Sequence, residues 1–124
     1  MYHLFKNARE PMSSYTHFLG MIFSTAATIF LVLLNTINGD FSVRMLVSIL
    51  VFGFSMLALY SASSIYHFYN GPLFKQERLR KLDHAMIYVL IAGSYTPICL
   101  KFMEGSYGII FVSVIWAIAL CGIL

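Results

Sequence analysis

Four stretches of about 20 mostly apolar residues, joined by short polar links, limit what this chain can fold into, because that is the length a helix needs to cross a bilayer core. The predicted spans are residues 15–34, 45–68, 82–102 and 107–124. Strands are a poor alternative, since the runs are too long and lack the in–out alternation of a membrane barrel. Composition closes off the soluble reading. Across 124 residues, 60% are hydrophobic and only 10% charged, with a mean hydropathy of +0.81. A soluble surface draws about 25–35% of its residues from charged types, so this chain cannot cover itself in water. Disorder is excluded by the same apolar and aromatic content. The expected class is an all-α integral membrane helical bundle with four transmembrane helices, a single domain over residues 1–124.

The links carry turn chemistry. Residues 35–42 join the first two helices around Asn38-Gly39-Asp40. Asn70-Gly71-Pro72 ends the second, where glycine can turn left-handed and proline cannot continue a helix. A charged link, residues 75–81, leads to the third span, and Glu104-Gly105-Ser106 makes the last turn. The first span is too long and begins too late for a cleaved signal peptide, so it reads as a retained helix. The last span ends at Leu124 without a cap, a charged flank or an aromatic anchor. Its length of about 27 Å is marginal for a bilayer. The chain therefore reads as the front part of a longer protein, or as the product of a truncated reading frame.

A net charge of +3 and a pI near 9.0 do not indicate nucleic acid here, because the cations lie between apolar runs rather than along one basic face. They read as topology determinants. Lys6, Arg9, Lys75, Arg78, Arg80 and Lys81 fall on one side of an alternating path, and only Arg44 and Lys101 on the other. Six against two places the N-terminus in the cytoplasm of a multi-pass protein of the cell membrane. The partners this implies are membrane lipids, with the second-loop cations suited to anionic headgroups; no protein partner can be read. Cys99 and Cys121 sit within apolar runs without CxxC spacing and read as small buried apolar residues.

Ionisable groups within spans cost about 2.5–3.5 kcal/mol each on insertion scales, so each needs a reason. On the second helix, Tyr60, Ser63, Ser64 and His67 follow the i, i+3, i+4, i+7 spacing of one face. The third helix opens with Lys81-Leu82-Asp83-His84, and Ser94 lies about 20° around the axis from Asp83, close to Gly93 and Pro97. The first helix offers His17, Gly20, Ser24 and Thr28 on one face, small enough for close contact. Alternation of the spans puts His17, His67 and Asp83 at one membrane depth. A histidine and a carboxylate so matched suit a metal ligand and a water-orienting partner. Plainer readings stand beside this one: His67 and His17 as interfacial side chains, Asp83 as a water-exposed helix cap, and the serines as local hydrogen-bonding groups. His84 lies about 100° from Asp83 around the helix and cannot share its target.

Ser63-Ser64-Ile65-Tyr66-His67, followed by Asp83 and the run from Lys81 to Pro97, resembles the hemolysin III branch of the progestin and adipoQ receptor family. The Glu10-Pro11 pair with His17 resembles the family's motif ahead of helix one. The resemblance covers essentially the whole chain. It implies a seven-helix membrane protein with a cytoplasmic N-terminus, in a wider group that includes adiponectin receptors and alkaline ceramidases. In that group zinc is held by one histidine on helix two and two from an HxxxH motif on helix seven. An aspartate on helix three engages the zinc-bound water, and a serine one turn before the first histidine supports the site.

Carried over, His67 is the metal ligand, and Asp83 and Ser63 are the catalytic residues. No role follows for His84, and His17 is a neighbour of the site. The implied function is a zinc-dependent membrane hydrolase acting on an amide-linked lipid, with zinc-bound water as nucleophile. No two histidines of this chain have the HxxxH spacing, so zinc is expected for the full-length fold and only weakly, or not at all, for these 124 residues. The alternatives are a non-enzymatic membrane protein, lytic or receptor-like, and an inactive truncated fragment.

Overall fold

Pro11 opens the first helix, at the position where a missing N–H costs nothing. In the computed structural model, which describes residues 2–37 and 41–124, a short 3-10 turn (Tyr2–Phe5) precedes the helices α1 (Pro11–Ile37), α2 (Val43–Phe68), α3 (Leu73–Phe102) and α4 (Tyr107–Ile123). Among the described residues there is no strand. The chain is an all-α membrane protein: α1, α2 and α3 are long and apolar enough to cross a bilayer, and α4, with 17 residues, is a shorter apolar helix.

The helix ends follow from local chemistry. Ser42 caps α2, its hydroxyl accepting from the Met45 N–H at 3.3 Å. Tyr69 ends that helix in extended backbone, its N–H donating to the Ile65 carbonyl at 2.9 Å. Gly71 is not left-handed as expected. The positive φ belongs to Gly105, at 57°, in the last turn, where a side chain would be strained. The turn expected at Asn38-Gly39-Asp40 lies outside the described residues.

The largest correction concerns residues 75–81. They are not a link but the first turns of α3, which begins at Leu73. Pro72 stops anything before it, and the Lys, Gln, Glu and Arg that follow are good helix formers. Arg80 also pairs with Glu77 one turn earlier. Asp83 therefore lies ten residues inside the helix and is not its cap.

Each helix packs chiefly on its neighbour in sequence, α1 on α2, α2 on α3 and α3 on α4. The contacts are made by small residues, as in membranes generally. A Cβ on Gly20 would lie 2.8 Å from the Tyr60 ring, one on Gly53 would strike the Thr28 side chain, and one on Gly93 would strike Ser55. Trp116 of α4 donates its indole N–H to Thr96 Oγ1 of α3 at 3.1 Å. Cys99 is buried as expected, but Cys121 is exposed, because α4 has protein on one side only.

Candidate functional site

The site is built where the start of α1, the end of α2 and the start of α3 meet. Residues 2–10 lie across this end as a strap. Phe5 is buried, with its ring 5.4–5.8 Å from those of Tyr15, Phe18 and Phe68. The last carbonyls of any helix lack intrahelical partners. Here the strap supplies them: the Glu10 N–H donates to the His67 carbonyl at 3.0 Å and the Arg9 N–H to that of Phe68 at 3.4 Å.

Side chains complete the clasp. Arg9 donates to Glu10 Oε1 at 2.7 Å and to Gln76 Oε1, on α3, at 3.1 Å, with its guanidinium 4.5 Å over the Tyr66 ring. The other Glu10 oxygen, Oε2, accepts from His67 Nδ1 at 2.8 Å. Partial desolvation pushes the Glu10 carboxyl up, but its electrostatic and hydrogen-bond interactions with His67 and Arg9 outweigh it and hold the carboxyl below its ordinary value.

His17 and His67 stack, with ring centroids 5.6 Å apart and planes within 4°. Their backbones differ in depth, since Glu10 rather than His17 is level with the His67 carbonyl. Side chains on a helix lean toward its N-terminus. On these antiparallel helices that sends the His67 ring inward and the His17 ring outward, so the rings meet. Asp83, half-buried on α3, stands seven residues inward of Gln76, as His17 does of Glu10, and is within electrostatic reach of His17. Ser63 is buried one turn before His67. His84 is exposed and turned back onto the Arg80 carbonyl at 2.8 Å, and Ser94 is likewise bonded to the Ile91 carbonyl of its own helix.

Two features of the site are absent from the expectations above. One is the Arg9-Glu10 clasp. The other is a reciprocal bond: Ser14 Oγ donates to the Ser64 carbonyl at 2.9 Å, and Ser64 Oγ to that of Ser14 at 3.0 Å. Its signal was present in the sequence, as Ser-x-x-His occurs both at Ser14-His17 and at Ser64-His67.

As a zinc site, the described residues fit one corner and not the whole. His67 has a carboxylate on one ring nitrogen, the usual arrangement behind a metal-bound histidine. The stacked rings, however, keep the lone pairs of His17 and His67 in parallel planes rather than aiming them at one point. No group of three His, Cys, Asp or Glu among the described residues could hold a metal ion. A groove of about 770 Å³ lies at the opposite helix ends, between Asn35, Ser42 and Lys101, and includes none of these groups.

A family model described as haemolysin-III related matches residues 5–124. Among curated proteins, the chain is 37% identical over 120 residues to the Hemolysin-3 homolog of Bacillus subtilis, covering 97% of this chain and 55% of that protein. It is 38% identical over 116 residues to Hemolysin-3 of Bacillus cereus, covering 93% and 51%. The chain thus spans about half the length of the curated relatives it matches. No solved structure gives a significant match.

Proposed function

The chain belongs to the haemolysin-III-related family, within the progestin and adipoQ receptor group, and on that premise we propose that it supplies half of a zinc-dependent hydrolase site acting on an amide-linked lipid. The observation that carries this reading is the carboxylate-bonded His67 at the helix end where Asp83 and buried Ser63 also lie. His67 would offer Nε2 as a ligand, Asp83 a carboxylate to accept a proton, and Ser63 a hydroxyl beside them. Zinc, when bound, supplies Lewis acidity for hydrolysis at neutral pH. The remaining ligands come from outside these 124 residues, which do not close the site by themselves. We further propose a multi-pass protein of the cell membrane with this end of the bundle in the cytoplasm, a reading that the six-to-two cation count supports.

Elemental analysis tests the assignment. The purified 124-residue chain is expected to hold little zinc. A chimera in which it replaces the matching half of the Bacillus subtilis relative is expected to hold about one zinc per chain, lost in His67→Ala. A zinc-free chimera removes the reading. Stoichiometric zinc in the short chain that disappears in His17→Ala reassigns the ligands. The relatives' names favour a second reading, lysis without hydrolysis. Lysis by the chimera that survives both His67→Ala and Asp83→Asn would establish it.

A further inference from the structure

We propose that Glu10 is a positioning residue that fixes the tautomer of His67. Neutral imidazole carries one proton, on either Nδ1 or Nε2, and only the bare nitrogen can bind a metal. An ionised carboxylate can only accept. With Glu10 Oε2 at 2.8 Å from Nδ1, the proton belongs on Nδ1 and Nε2 is left bare. This orientation runs against the tautomer that a free histidine side chain prefers in water, so something in the protein must hold it.

Glu10 is built to do so. Its own N–H is bonded to the His67 carbonyl at 3.0 Å, so backbone and side chain grip the same residue. Arg9 takes Oε1 at 2.7 Å, which leaves Oε2 for the ring, and Arg9 is itself held by Gln76 and by the face of Tyr66. Pro11, the next residue, has its φ set by its ring and limits Glu10 to extended backbone. The carboxylate is thus fixed from three elements before any ligand arrives. The His67 side chain is 18% exposed and the Glu10 side chain 46%, so the ring lies on the sheltered side of the bond.

The consequence for metal binding rests on the reading of His67 as a ligand; the positioning itself does not. The test therefore starts with metal-free protein. In the 15N-histidine-labelled 124-residue chain in detergent micelles, at a pH where the ring is neutral, long-range 1H–15N correlations report which nitrogen of His67 bears the proton. The wild-type ring is expected as Nδ1–H, and both Glu10→Ala and Glu10→Gln are expected to shift it mainly to Nε2–H; in the Gln variant Arg9 holds the single amide oxygen, which turns the NH2 toward Nδ1 as a donor. Because the Gln variant keeps the Arg9 contact and nearly the shape of glutamate, it keeps the comparison readable where Glu10→Ala fails to fold.

An Nε2–H ring in the wild type, or a tautomer unmoved by Glu10→Ala or by Glu10→Gln, overturns the proposal. In the chimera, Glu10→Ala and Glu10→Gln are each then expected to weaken zinc affinity about 10–100-fold. The Glu10-dependent tautomer in a chimera that binds no zinc would uphold the positioning and remove the ligand role of His67, so the two readings fail separately.

Discussion

At the scale of single residues, many polar groups in the apolar spans are tolerated because they find partners. No buried side-chain nitrogen or oxygen among the described residues lacks one. Most hydroxyls bond back to their own helix, as Thr28 does to the Ser24 carbonyl at 2.7 Å and Thr96 to that of Ala92 at 2.8 Å. Ser14 and Ser64 instead bond across helices, which pins α1 and α2 together beside the two histidines. Glu10 adds a pH dependence with a definite sign. Its carboxyl is held low in the folded chain, so its contribution is complete above the ordinary carboxylate range and is lost as pH falls through its depressed value. The strap is therefore expected to stay docked through the ordinary carboxylate range and to release only below it. The 13C shift of the Glu10 carboxyl checks this: its midpoint should lie below that of a free glutamate and rise in Arg9→Ala. A midpoint at the ordinary value would show that the charges do not hold the strap.

Between elements, the packing depends on missing atoms. Lipid is as apolar as leucine, so helices in a bilayer gain little from apolar burial and associate through close approach. Gly53 of α2 lets Thr28 of α1 come in contact with its backbone. Gly53→Ala is expected to destabilise by about 1–3 kcal/mol through overpacking, with a substantial part recovered in the Gly53→Ala/Thr28→Ala pair. Reversible unfolding in mixed micelles measures both. Equal losses in the single and double variants would show that the helices adjust without cost. The small-residue face of α1 could be read beforehand, since helical spacing alone brings Gly20, Ser24 and Thr28 together. Its partners Tyr60 and Gly53 could not, because which face of α2 meets it depends on crossing geometry. The charged run also hides the true start of α3 at Leu73, because charge marks where a helix leaves the bilayer, not where it ends.

Taken whole, the molecule is a row of helices with wide uncovered faces. Only 6% of the most apolar window of α1 is buried, against 28% for α2, so lipid or further protein must cover the rest. That openness accords with a chain spanning about half the length of its relatives. Orientation belongs to this scale too. In a Cys99→Ser/Cys121→Ser background, Lys75→Cys is expected to be shielded from an impermeant thiol reagent in intact cells, and Phe41→Cys to react. The reverse pattern would show that the cation count misleads.

Class, helix number and family could be settled from the chain itself, because bilayer thickness imposes a length on every apolar run and the motif residues are local in sequence. His67, Asp83 and Ser63 could be singled out for the same reason: a polar group in an apolar run is conspicuous wherever the helix points. What touches what is another matter. The strap contains few strongly apolar residues and no helical periodicity, so nothing local marks Arg9 and Glu10 as the groups that cap α2 and grip His67 across 57 positions of chain. The stack of His17 on His67 likewise arises only when antiparallel helices lean their side chains toward each other. Such contacts are products of helix packing, and only the folded arrangement decides them.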